Sequence, residues 1–240
     1  MKVLAINGSP HCEKGNTALI LGPFLEGMRQ AGAEVDLAYS WKMKVNPCGS
    51  DWSCLARTAG RCIHDDDMRD LYPKLREADI LVIAAPVYAS GMPSSLKSVV
   101  DRMVPLSQPF IELNDGHCFH PLVEGAKGGK VVLVANCGFW ELDNFDPMVA
   151  QVKGMSRSMG REYAGALLRP HGSSFAMMLR MGAPVGGVLD AAREAGRQLV
   201  ETGEMSAELQ LAVCRPVIPL EEFVRGNNDA LRQMLVASTR

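Results

Sequence analysis

The sequence predicts a doubly wound α/β domain, a five-stranded parallel sheet with helices on both faces. Three observations carry this. Apolar runs of strand length recur at residues 2–7, 34–39, 80–85, 130–136 and 164–169, and four of them are near-continuous Val/Ile/Leu/Ala stretches, as strands buried on both faces require. Helical patterns alternate with them near residues 16–31, 66–77, 94–104, 145–160 and 185–202. The first strand also runs directly into a glycine- and hydroxyl-rich turn that opens the first helix.

That turn, from Asn7 to Thr17, is the most informative element. Gly8, Ser9, Gly15, Asn16 and Thr17 are small or hydroxylated where a strand must bend sharply into a helix. Amides at a helix start lack intrahelical acceptors, and the helix dipole adds positive charge there, so the turn suits a phosphate. It has neither the Gly-Lys-Ser/Thr of a Walker A loop nor a Gly-x-Gly-x-x-Gly pattern. A phosphate held without a catalytic lysine points to flavin mononucleotide (FMN) more than to ATP. Asn16 or Thr17 caps the helix, Leu19, Ile20, Phe24, Leu25 and Met28 form its apolar stripe, and Gly32 ends it.

Two connections break the alternation. Residues 41–65 carry three cysteines, and residues 105–129, rich in proline and glycine, read as a long loop; connections of this length are often functional or interfacial. The expected organisation is a domain over 1–203 and an extension over 204–240 that packs on the domain or on a partner.

The 240 residues are 47% hydrophobic, and 25 Lys+Arg against 27 Asp+Glu leave a net charge of −2. This balance gives no reason to expect nucleic acid or membrane partners. No apolar stretch reaches membrane-spanning length, and no signal-like segment precedes the first strand, so a cytoplasmic location is expected. Seven unevenly spaced cysteines read as thiols or cluster ligands rather than a disulfide framework. Cys12, in the phosphate turn, is read as a tolerated small side chain. The five histidines show no helical metal spacing, and no Gly-x-Ser-x-Gly elbow supports a hydrolase. His117 and His120 are read as loop residues, and Met177, Met178 and Met181 as packing.

In a doubly wound sheet, ligands bind beyond the carboxyl ends of the strands where the strand order reverses. The loop after the third strand supplies Pro86, Val87, Tyr88, Ala89, Ser90 and Gly91, a stiff surface whose backbone suits a flat heteroaromatic ring beside Tyr88. After the fourth strand, Cys137 and Gly138 are placed to meet the ring through backbone groups, and Trp140 either walls the substrate side or packs at the loop base. Arg169 and His171 follow the fifth strand and are candidates for the same crevice or for a cofactor phosphate. Asp101-Arg102 is expected to form a structural ion pair or a subunit contact.

Gly8-Ser9-Pro10 with Gly15-Asn16-Thr17, then Pro86-Val87-Tyr88, Met92-Pro93, Leu96-Lys97 and Asp101-Arg102, resembles the NADPH-dependent FMN reductase and iron–sulfur flavoprotein family over roughly the first 140 residues. The resemblance implies a flavodoxin-like fold of strand order 2-1-3-4-5. It further implies FMN with its phosphate on Ser9, His11, Gly15, Asn16 and Thr17 and its ring along residues 86–91. A homodimer or homotetramer whose second subunit helps to close the pocket is also implied. Iron–sulfur members carry a compact run of four cysteines after the second strand. Here Cys48, Cys54 and Cys62 match three positions, Asp51 stands where the second cysteine would be, and the last spacer is stretched. A cubane [4Fe–4S] cluster normally takes four thiolates. A loop without cofactor is therefore favoured over a cluster, or over zinc on these cysteines with His64.

The expected function is FMN-dependent oxidoreduction: hydride from NAD(P)H to flavin, then onward to a small acceptor such as a quinone, nitroaromatic, flavin or metal ion. The flavin itself carries the chemistry, and no side-chain acid or base is assigned. An electron carrier using FMN and a cluster at Cys48, Cys54 and Cys62, and an FMN-binding protein without turnover, are the alternatives.

Overall fold

A computed structural model describes residues 1–58, 60–114 and 116–238. In chain order the elements are β1 (Lys2–Asn7), α1 (Asn16–Gln30), β2 (Glu34–Tyr39), the single turn α2 (Ser53–Ala56), α3 (Met68–Glu77), β3 (Ile80–Pro86), α4 (Ser94–Asp101), β4 (Glu112–Asn114), β5 (His117–Phe119), β6 (Lys130–Asn136), α5 (Asp146–Ser158), β7 (Glu162–Arg169), α6 (Gly172–Arg180), α7 (Gly187–Thr202), α8 (Ala207–Cys214) and α9 (Leu220–Ser238).

The five long strands form one parallel sheet in the order β2-β1-β3-β6-β7, the flavodoxin-like arrangement expected. Alternate side chains divide the core. Val3, Ala5, Val82, Ala84, Val132 and Val134 pack beneath α1, α6 and α7, whereas Leu4, Ile6, Leu81, Ile83, Val131 and Leu133 face α3, α4 and α5. The central strand β3 is buried at every residue, which is why it reads as an unbroken apolar run. α1 and α7 cross closely at Gly27 and Gly196; a Cβ at Gly27 would strike the Arg193 carbonyl, and one at Gly196 the Phe24 carbonyl.

Two features differ from the sequence reading. The 105–129 connection contains an antiparallel hairpin, β4–β5, because three-residue strands are too short for a recognisable alternation. Met177 and Met178 belong to an extra helix, α6, and Met181 caps its C-terminus. Within the extension after residue 203, α8 packs against α7 and β7 and buries Val213 fully.

Candidate functional site

β1, β3 and β6 end at the same edge, and their loops form one cleft. Asn7, fully buried at the end of β1, turns the first loop: its Oδ1 accepts from the Ser9 N–H at 2.8 Å, and its Nδ2 reaches the Cys12 carbonyl at 3.5 Å. The Gly8 N–H donates to the Ala84 carbonyl at 2.7 Å and pins the loop to β3. The Ser9 hydroxyl accepts from the His11 N–H at 3.3 Å, so its own hydrogen is free to donate. A Cβ at Gly15 would collide with that hydroxyl, so only glycine lets the chain pass and present the Asn16 and Thr17 amides at the start of α1.

After β3, Tyr88 and Gly91 exchange both backbone bonds, at 3.0 and 2.9 Å, around Ala89 and Ser90. Both central residues lie at positive φ, 45° and 65°, the geometry of a type I′ turn without its usual glycine. The Ala89 and Ser90 amides fall outside the turn's own two bonds, and Tyr88 is half-exposed beside it.

Ser9, His11, Asn16, Thr17, Pro86, Val87, Tyr88 and Gly138 line a common cleft of ≈ 230 Å³, joined by Asn136 and Ser173. Those last two escape single-residue reading. Asn136 is the terminal residue of β6 and accepts from the Thr17 hydroxyl at 2.5 Å; Ser173 opens α6 and receives the Asn16 amide at 3.2 Å. The available signal was position, since Asn136 pairs with Pro86 in the sheet register. Larger hollows lie along β7 and α8 (≈ 440 Å³) and beside α3 (≈ 510 Å³), but neither adjoins these loops.

Other expected residues lie elsewhere. Cys137 bonds inward with both main-chain groups, its N–H to the Arg169 carbonyl and its carbonyl to the Gly172 N–H, so it has none left for a ring. The Trp140 indole N–H donates to the Ile218 carbonyl at 2.9 Å, which makes Trp140 a tie to the C-terminal segment rather than a cleft wall. Arg169 is buried and donates to the carbonyls of Pro170, Val213 and Arg215, so it is not free to meet a phosphate. His171 is fully buried at φ 40°; burial, with Arg169 beside it, pushes its pKa down to about 4. Arg102 pairs with Asp66 rather than Asp101, which instead holds Lys97.

The Asp66–Arg102 pair clamps the cysteine segment to α4. The guanidinium meets both carboxylate oxygens at 2.8 and 3.1 Å and the Asn46 carbonyl at 2.7 Å. Burial opposes ionisation of Asp66, but Arg102 and the Asn46 N–H outweigh it and hold the carboxyl at about 2. Burial, then Cys62, Cys48 and Asp51, raise the Cys54 thiol, so these four side chains share one neighbourhood. Asp51 is engaged by the Ser53 hydroxyl, and among the described residues no group of three or more His, Cys, Asp or Glu has a metal-holding arrangement. Three thiols and a carboxylate stand one thiolate short of the four that normally hold a cubane cluster.

The profile of the NADPH-dependent FMN reductase family matches residues 1–135, more than half of the chain. The chain belongs to the NADPH-dependent FMN reductase family. Among curated relatives, this family member is 33% identical over 138 residues to an iron–sulfur flavoprotein of Archaeoglobus fulgidus, covering 58% of the chain and 56% of the relative. It is 39% identical over 108 residues to one of Methanosarcina thermophila, covering 43% and 53%. The chain therefore aligns with only about half the length of these relatives. Among solved structures, an NAD(P)H:quinone oxidoreductase from Methanothermobacter marburgensis superposes with a TM-score of 0.60 at 17% identity, covering 83% of this chain and 98% of that one, a likeness of fold.

Proposed function

We propose that this protein is an FMN-dependent oxidoreductase that takes hydride from NAD(P)H and delivers it to a small acceptor. The observation that carries the reading is the convergence of the Ser9–Thr17 loop, Pro86–Tyr88 and Gly138 on one cleft at the sheet's switch point. The residues fit the cofactor. A Cβ built at Gly91 or Gly138 meets nothing within 4 Å, so both backbone edges are open to a flat ligand.

When bound, FMN supplies the hydride-accepting and hydride-donating chemistry. The Asn16 and Thr17 amides and the Ser9 hydroxyl would hold its phosphate, with the α1 dipole favouring the negative charge. If the Asn136 amide turns over, its Nδ2 donates to the Thr17 oxygen and releases the Thr17 hydroxyl hydrogen toward the phosphate. Tyr88 and the Ala89–Ser90 amides would orient the ring, and no side chain is assigned a proton. The cleft is smaller than the ~300–1,000 Å³ common for ligand pockets, which supports a homo-oligomer in which a second subunit covers the exposed part. Among the described residues no helix is long and apolar enough to cross a membrane, in keeping with a cytoplasmic enzyme.

The test is anaerobic mixing of FMN-loaded protein with NADH and with NADPH. Loss of flavin absorbance with either donor, reversed by a quinone, is expected; no bleaching with either refutes the reading. Iron analysis of the same sample separates the electron-carrier alternative, which requires iron in proportion to flavin.

A further inference from the structure

The C-terminal helix presents an apolar stripe that its own chain leaves uncovered. Leu220, Phe223, Val224, Asn227, Leu231 and Met234 recur at spacings of three, four and seven and share one face of α9. Its first turn rests on the body, where the Phe223 ring lies 6.1 Å from that of His171. Beyond it Val224 is 47% exposed, Leu231 56% and Met234 67%. The flanks of the stripe differ. One carries Glu221 and Arg232; the other is lined by Gly226 and Ala230, small enough for a second helix to approach closely.

Charge decides the occupant. α9 carries Glu221, Glu222 and Asp229 against Arg225 and Arg232 and has no lysine, unlike the basic faces that lie on anionic lipid. Its charges do complement a reversed copy of themselves. When two such helices run antiparallel about Asn227, Leu220 meets Met234 of the second copy, Phe223 and Val224 meet Leu231, and Glu221 meets Arg232, each contact occurring twice. Asn227 then faces Asn227 on the two-fold axis, where a single polar residue in an apolar seam fixes register.

We propose that α9 is the dimerisation helix of this protein, pairing antiparallel with α9 of a second copy about Asn227. This rests on the oligomeric reading above and names its surface. Trp140, in the loop that carries Gly138, and Arg169, at the end of β7, tie the segment before α9 to the same edge of the sheet as the cleft.

Sedimentation of the full FMN-loaded chain tests it. The Leu231→Glu variant should have half the wild-type mass, with far-UV circular dichroism unchanged. Glu221→Arg should weaken association about tenfold or more, and Glu221→Arg combined with Arg232→Glu should restore it. A monomeric wild type overturns the proposal together with the oligomeric reading, while leaving NAD(P)H bleaching of the flavin untouched. Leu231→Glu at wild-type mass overturns the α9 surface alone. Failure of the double reversal to rescue overturns the antiparallel register.

Discussion

Replacing Asp66 by asparagine should destabilise the protein by about 3 kcal/mol at pH 7. The substitution keeps the shape but sets an amide N–H₂ against the Arg102 guanidinium, whose side chain is 1% exposed beside an Asp66 side chain at 3%. Removing one partner of a buried pair typically costs about 3–5 kcal/mol, because the other charge is stranded. The titration of Asp66 gives an independent figure. A carboxyl held at about 2 instead of near 4 contributes about 2.5 kcal/mol. Since the folded pKa is depressed, this contribution is complete above pH ~4 and is lost as pH falls through about 2. Urea unfolding followed by circular dichroism at pH 7, 5 and 3 checks both statements. Wild type should lose about 1 kcal/mol of this contribution by pH 3, and Asp66→Asn should lack that component. A variant within about 0.5 kcal/mol of wild type at pH 7 would show that Arg102 is adequately paired by the Asn46 carbonyl alone.

Gly15→Ala places a methyl against the Ser9 hydroxyl and should weaken FMN binding about tenfold or more, measured by quenching of flavin fluorescence. Thr17→Val breaks the bond to Asn136 and should cost about 1 kcal/mol of FMN affinity in the same titration. Gly196→Ala drives a Cβ into the Phe24 carbonyl and should lower the urea midpoint by the equivalent of about 1–3 kcal/mol. His171 is held at about 4, below its unfolded value near 6.5, so it stays neutral on folding and stability falls as pH drops between those values. The loss is at most about 3.4 kcal/mol, and His171→Asn, which tolerates the positive φ, should flatten that part of the profile.

The inner sheet was legible because β1, β3 and β6 are buried on both faces and read as continuous apolar runs, while the edge strand β2, largely exposed, shows only as a short run between helical patterns; the runs at 2–7, 34–39 and 130–136 coincide with β1, β2 and β6. α6 was missed because it begins straight after β7 and its methionines fill core and surface alike, which blurs its period. Of the cleft, the glycine and hydroxyl residues were readable because the backbone demands them locally. Asn136 and Ser173 act across the fold, each meeting a residue of α1 more than a hundred positions away, and no local pattern reports that. The cleft roles offered for Trp140 and Arg169 fail for the opposite reason: loops at a sheet edge also carry the groups that hold the next layer of chain.

Arg169 has a consequence for how the chain tolerates shortening. Its guanidinium is saturated by carbonyls contributed after residue 212, at Val213 and Arg215. A protease cut just before them would leave a full positive charge facing empty space at the end of β7, one strand from the cleft. The last segment of the sequence is therefore a plug whose removal unsettles the sheet edge, and truncation that spares the fold must begin beyond residue 219.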